Sequence, residues 1–208
     1  MVVKIAKTIT NEMGKSLLAS VFRKSKNKEV IVKDAERWIE PYHLEKRLPG
    51  NYTFYDLIFF LFNHYREYRN LFYYRFGKDP AKNHFLFKLL KKVYPPWDMV
   101  TIKVFEIGPG LFIQHGSASR IGAKKIGENC WINQNVTVGF SGEGKMPVIG
   151  DNVVIRPGSR IFGDIIIGDN SIVGANAVVL KNVPPNCTVA GVPARIIRRN
   201  GQRVDEKL

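Results

Sequence analysis

From Ile149 onward an aliphatic residue returns every six positions, at Ile149, Ile155, Ile161, Ile167, Val173 and Val179. An α-helix repeats its apolar positions every 3.6 residues and a strand every 2, so a sustained period of six requires another geometry. A parallel β-helix meets the requirement. Each hexad forms one short flat side of a coil, its aliphatic residue points to the axis, and the next coil stacks about 4.8 Å above. Four places after each aliphatic residue stand Val153, Ser159, Ile165, Ser171 and Ala177, mostly small or β-branched, which suits a tight corner. Three hexads per turn put Ile149 under Ile167, Ile155 under Val173 and Ile161 under Val179. The same register is visible upstream at Ile126, Ile132 and Val138, with Cys130 and Val136 in the small positions, and less cleanly at Ile107 and Ile113.

Between Val138 and Ile149 five extra residues interrupt the register, and the glycine-rich segment 139–147 lies there. A β-helix tolerates an insertion only by extruding it at a corner, so this loop is expected to project toward a ligand or a neighbouring subunit. The pattern reads as ending at Pro184-Pro185, with Ala190-Gly-Val-Pro-Ala-Arg195 and a basic tail covering the last coil. Residues 1–100 lack the six-residue period and read as helical. The run from Asp34 to Glu40 predicts a helix capped by Asp34 and stopped before Pro41. Residues 51–76 hold twelve Phe and Tyr interleaved with Arg66, Arg69 and Arg75, with Leu57, Phe60, Leu61, His64, Tyr68 and Leu71 at helical spacing. Leu86 to Val93 continues with Lys88, Lys91 and Lys92 and stops at Pro95-Pro96. The expected organisation is mainly β: a helical region over 1–100, a β-helix over 101–183 and a cap with a basic tail over 184–208.

The formal charge of +14 changes the picture by asking for an anionic partner. Residues 1–100 carry 19 Lys and Arg against 10 Asp and Glu, net +9, and residues 101–208 carry 13 against 8, net +5. No nucleic-acid-binding motif is present and the cations are dispersed, so no nucleic acid is expected. A polyanionic small molecule, an anionic acceptor or a membrane surface fits better. The aromatic, basic helices suit core and subunit contacts, and also peripheral membrane contact. The opening Met-Val-Val-Lys-Ile-Ala-Lys-Thr lacks the apolar core of a signal peptide and no stretch reaches membrane-spanning length, which predicts a cytoplasmic location. The two cysteines, Cys130 and Cys187, lack a metal or redox spacing and read as reduced and structural.

His115 is the one histidine of the repeat region. Standing two places after Ile113, it should point outward, where a neutral imidazole can take a proton from a hydroxyl. A lone histidine cannot make a three-histidine centre, so no metal is expected. The segments Ile107-Gly-Pro-Gly-Leu-Phe-Ile-Gln-His115-Gly, Ile126-Gly-Glu-Asn-Cys-Trp-Ile-Asn-Gln-Asn-Val-Thr-Val-Gly139, Ile167-Gly-Asp-Asn-Ser-Ile-Val-Gly-Ala-Asn-Ala-Val-Val-Leu180 and Ala190-Gly-Val-Pro-Ala-Arg195 resemble the hexapeptide-repeat acyltransferases. Within that family they resemble the serine acetyltransferases and their relatives from bacterial polysaccharide clusters. The resemblance spans about residues 65–199. It implies an N-terminal helical part, a left-handed parallel β-helix, a homotrimer, and transfer of acetyl from acetyl-CoA to a hydroxyl with His115 as general base. It further places Gly139, Ser141 and Gly142 at the thioester, Ala175 by the pantetheine arm, and Lys181, Arg195 and Arg198 near the phosphates. The competing reading of those three cations is solvated surface charge.

Departures from the family bear on the acceptor. The aspartate that orients the histidine is replaced by Val100, leaving Asp98 and Glu106 as the nearby candidates. Lys145-Met146 stands where relatives carry an Arg-His pair before the loop-closing proline, here Pro147, which makes Lys145 a candidate substrate contact. Tyr52-Thr53 replaces an Asp-Pro pair that precedes the arginine matching Arg75. A free amino acid presents a carboxylate and an ammonium that both need partners. These losses favour a sugar hydroxyl of a surface-polysaccharide precursor, with L-serine the alternative acceptor. A non-catalytic β-helix that binds CoA or a partner chain is the rival class.

Overall fold

A computed structural model describes residues 14–80, 82–140, 142 and 144–208. The chain divides into two units, one running to Trp97, the other comprising Asp98–Leu208 together with Glu36–Trp38.

The second unit is a parallel β-solenoid of about five turns. One face stacks β2 (Phe112–Ile113), β4 (Trp131–Ile132), β7 (Val154–Ile155), β10 (Ile172–Val173) and β12 (Cys187–Ala190). The other two faces start from a single long strand, β3 (Ser119–Ile126), which lies on β1 (Val100–Ile107). Its first half carries β5 (Thr137–Gly139), β8 (Arg160–Phe162) and β11 (Val178–Val179); its second half carries β6 (Val148–Ile149) and β9 (Ile166–Ile167). Ile149 pairs with Ile167, Ile155 with Val173 and Ile161 with Val179, in the eighteen-residue register that three hexads demand. All six are fully buried, and burying each such side chain contributes about 1.5–3 kcal/mol. Trp38 belongs to this unit: its ring meets Phe112 edge-on at 4.9 Å and its Nε1 donates to the Leu111 carbonyl at 3.3 Å.

Corners recur as Ile-Gly-acid-Asn. The asparagines Asn129, Asn152 and Asn170 take left-handed φ of 55°, 55° and 57°, which this side chain tolerates. Asp151 accepts from the Glu128 amide and Asp169 from the Asp151 amide, each at 2.8 Å. Those carboxylates explain two glycines. A Cβ on Gly127 would stand 2.1 Å from Asp151 Oδ1, and one on Gly150 would stand 2.2 Å from Asp169 Oδ1.

The column departs from the sequence expectation at both ends. In the first turn the inward residue after Ile113 is Ile121, which pairs with Val138; two extra residues at the intervening corner hide it from a strict period of six. At the other end the stacking continues past Pro184-Pro185. Val183 bridges to Ile167 and Val189 pairs with Val173, both sixteen residues on, so the hexad count is broken while the ladder persists. Only β13 (Arg195–Arg199) and β14 (Gln202–Lys207) turn antiparallel and cover the last coil. Cys130 and Cys187 are free and buried, and burial pushes the Cys130 thiol up to about 12, unsuited to a nucleophile.

The first unit is helical at residues 14–23 and over Lys28–Glu36, Ile39–Tyr42, Phe54–His64, Arg66–Gly77 and His84–Val93. Its core is aromatic, with Phe62 meeting Phe72, Tyr73 and Tyr94 edge-on at 5.3–5.6 Å. Asp34 is not the cap that its position before an apolar run suggests. It sits late in the Lys28–Glu36 helix, 1% exposed, where both carboxylate oxygens accept from Arg75 at 2.8 and 3.1 Å. Pro41 lies inside the short Ile39–Tyr42 helix, where a first-turn residue has no intrahelical N–H bond to lose.

Thr53 caps the Phe54–His64 helix in a reciprocal box with Asp56, and Lys15 donates to the same carboxylate at 2.6 Å. The Lys15 and Thr53 bonds hold the Asp56 carboxyl down at about 2. A depressed carboxylate contributes its stability above the unfolded pKa of about 3.9 and loses it as pH falls toward the folded value. Asp56→Ala is therefore expected to cost about 1 kcal/mol at neutral pH and only a small part of that at about pH 2, where the folded-state carboxyl is half protonated. Urea midpoints of the two proteins at both pH values check this; an equal gap at both would contradict it.

Candidate active site

His115 follows the end of β2 by two residues. The amide of Gln114 still donates to Ile132 in the ladder, at 2.8 Å, and the chain then leaves the column. His115 is exposed and takes φ +56°, and Ala118 repeats that left-handed value three residues on. A non-glycine residue in this region carries strain that the fold must hold in place, which is common where a side chain serves chemistry.

Beside it lies an amide cluster that sequence reasoning passed over. Asn133 Nδ2 donates to Gln114 Oε1 at 2.8 Å. Asn133 is 4% exposed, and among the described residues neither its Oδ1 nor the buried Gln134 Oε1 has a hydrogen-bond partner. An amide oxygen at such a position can accept from a hydroxyl or an ordered water. The sequence signal was a polar residue directly after each inward isoleucine, at Gln114 and Asn133.

The residues proposed to orient His115 are placed as follows. Glu106 is exposed and pairs with Lys125 at 3.2 Å across β1 and β3. Asp98 is exposed, and its backbone carbonyl accepts from Arg120 at 3.5 Å. Val100 is 4% exposed, packed opposite Ser119 at the start of β1, a site made for an apolar side chain.

The extruded loop leaves at Gly139, the last residue of β5, and re-enters at the buried Pro147, whose carbonyl accepts from the Lys124 amide at 2.9 Å. Gly142 and Gly144 adopt φ of 74° and 69°, and among the described residues no atom lies within 4 Å of a Cβ added at either. Phe140 and Lys145 are exposed along it. Ser141 lies outside the described residues.

At the other end of the column Lys181 and Arg195 line one cavity of about 380 Å³ with Leu180, Val192, Pro193, Ala194, Lys207 and Leu208. Two predicted phosphate contacts thus come together, and Lys207 joins them. Arg198 does not line this cavity; it lies on β13 and donates to the Gly201 carbonyl at 3.4 Å. Ala175 is exposed at a separate corner, next to Asn176. Three cations beside apolar walls fit the phosphates and base of a nucleotide donor. In this structure the C-terminal segment already engages two of them: Lys181 donates to the Leu208 backbone oxygen at 2.8 Å and Arg195 pairs with Asp205 at 2.7 Å. Among the described residues no three His, Cys, Asp or Glu side chains gather as a metal site.

The described repeat region is a parallel β-solenoid built from stacked hexads. Residues 146–181 match the family described as bacterial transferase hexapeptide (six repeats). Over 103 residues the chain is 47% identical to the serine acetyltransferase of Synechococcus elongatus, a match covering 48% of this chain and 42% of that protein. The crystal structure of the Brucella abortus serine acetyltransferase aligns over 88% of this chain and 74% of its own, at 27% identity and a TM-score of 0.59. Soybean serine acetyltransferase complexed with serine aligns over the same shares, at 26% identity and a TM-score of 0.60. The chain is thus similar to bacterial hexapeptide transferases over residues 146–181 and to serine acetyltransferases over about half of its length. It spans less than half the length of the curated relatives it matches.

Proposed function

We propose that the protein is an acetyl-CoA-dependent O-acetyltransferase. The observation that carries the reading is the outward, left-handed His115 at a corner of a hexapeptide column. In the proposed reaction the His115 imidazole removes the acceptor's hydroxyl proton as the oxygen attacks the thioester carbonyl. The C–S bond then breaks and the imidazolium returns the proton to the CoA sulfur. Backbone amides near Gly139 to Gly142 are proposed to hold the oxyanion, Ala175 to border the pantetheine arm, and Lys181 and Arg195 to take the phosphates once Asp205 releases Arg195. A homotrimer that sets loop 139–147 against a neighbouring column would complete the site.

For the acceptor, the relatives support L-serine better than the sugar hydroxyl that the sequence favours. Several are named serine acetyltransferase and one was solved with serine, while nothing among them supports a sugar. One observation keeps the sugar as a second reading. Thr53, which departs from the family pattern, is committed to its helix cap, and Arg75, which matches the family's arginine, is committed to Asp34. For L-serine the exposed Lys145 is the proposed carboxylate contact. A steady-state assay of CoA release should show saturation by L-serine at about 1 mM or below, and Lys145→Ala should raise that KM about ten- to hundredfold. Saturation by nucleotide sugars with no response to serine would transfer the assignment to the second reading.

A further inference from the structure

The His84–Val93 helix contains three lysines, one histidine and no acidic residue. It packs inward through Leu90, which is fully buried, and through Phe87, whose ring meets Tyr73 and Phe76. Lys91 folds over the rings of Tyr73 and Phe87 at 5.4 and 4.3 Å, leaving Lys88 and Lys92 as the outward cations. Its apolar surface does not stop at the core. Phe85, Leu89 and Val93, one ridge at four-residue spacing, are 74%, 37% and 51% exposed. Beside that ridge runs a groove of about 730 Å³ lined by Leu17, Leu86, Leu89 and Val93, with Arg23 and Lys24 and, among the described residues, no acidic side chain in its lining.

We propose that this ridge and groove dock on the surface of an anionic lipid bilayer. Charge complementarity selects the occupant. A second copy meeting the same face symmetrically would bring Lys88, Lys92, Arg23 and Lys24 against their equivalents, a repulsive arrangement. The chain's own residues 1–13 carry two lysines against one glutamate and cannot neutralise the patch. A nucleic acid would neutralise the cations but leave Phe85, Leu89 and Val93 in water, whereas a bilayer surface accepts both. Among the described residues no helix is long and apolar enough to cross a membrane, so the contact is interfacial.

Sedimentation of the full chain with phosphatidylcholine vesicles, with and without phosphatidylglycerol, tests this independently of any acetyl transfer. Binding is expected to the anionic vesicles only and to weaken as salt rises. Lys88→Glu with Lys92→Glu should lower the partition coefficient by at least about fivefold per lysine. Phe85→Ser with Leu89→Ser should lower it at least tenfold with the helical circular dichroism and melting temperature retained. No binding at low salt, equal binding to neutral vesicles, or unchanged binding by both double variants would overturn the proposal. So would a fall in oligomer mass for Phe85→Ser with Leu89→Ser, which would assign the ridge to a second copy.

Discussion

Replacing His115 with asparagine is expected to lower turnover by about 10²- to 10⁴-fold, the range over which a positioned general base acts. Asparagine is the informative substitute because it tolerates left-handed φ better than most residues with a Cβ, so the corner keeps its shape while the base is lost. The side chain is outside the aliphatic column, and the melting temperature and light-scattering mass should therefore stay at wild-type values. Acetyl-CoA affinity should also be retained, since the cations assigned to the donor lie at the far end of the solenoid. Turnover within a factor of about three of wild type would remove His115 from the proton transfer and with it the proposed mechanism.

Asp34→Ala is expected to destabilise the helical unit by about 3–5 kcal/mol. The substitution leaves the Arg75 guanidinium, 6% exposed, without the carboxylate that accepts two of its hydrogen bonds. A loss of that size approaches the whole stability of a small domain, so far-UV circular dichroism in urea should show the helices melting well before the β-signal. Adding Arg75→Met to Asp34→Ala should recover much of the loss, because removing both charges spares the cost of an unpaired buried cation. A single-variant cost under about 1 kcal/mol would mean that water reaches the guanidinium freely.

The column was legible in the sequence because every coil repeats one physical demand, an aliphatic residue at the axis with a small residue at the corner. Where a corner gains or loses residues the demand persists but the count fails. Ile121, Val183 and Val189 were missed for that reason, although each is buried and in register. His115 was legible as an outward group from its offset to Ile113. The Gln114–Asn133 pair was not, because a polar residue after an inward isoleucine looks the same whether it is solvated or buried. The engagement of Arg195 by Asp205 was likewise hidden, since it depends on a hairpin whose antiparallel return carries no six-residue period. In the helical unit Asp34 misled because an acid before an apolar run reads as a cap, and only tertiary packing against Arg75 reveals the pair.

The stacking of β2, β4, β7 and β10 has a metric meaning. Three strand steps separate the coil that bears His115 from the one that leads into Lys181, roughly 14 Å at ordinary strand spacing. One coil inserted or deleted between them would move the two ends apart or together by about 4.8 Å while leaving the residues of each end unchanged. The number of coils is thus a length standard, and under the proposed reaction an extended donor reaching from Lys181 to His115 would be measured in whole turns of the chain.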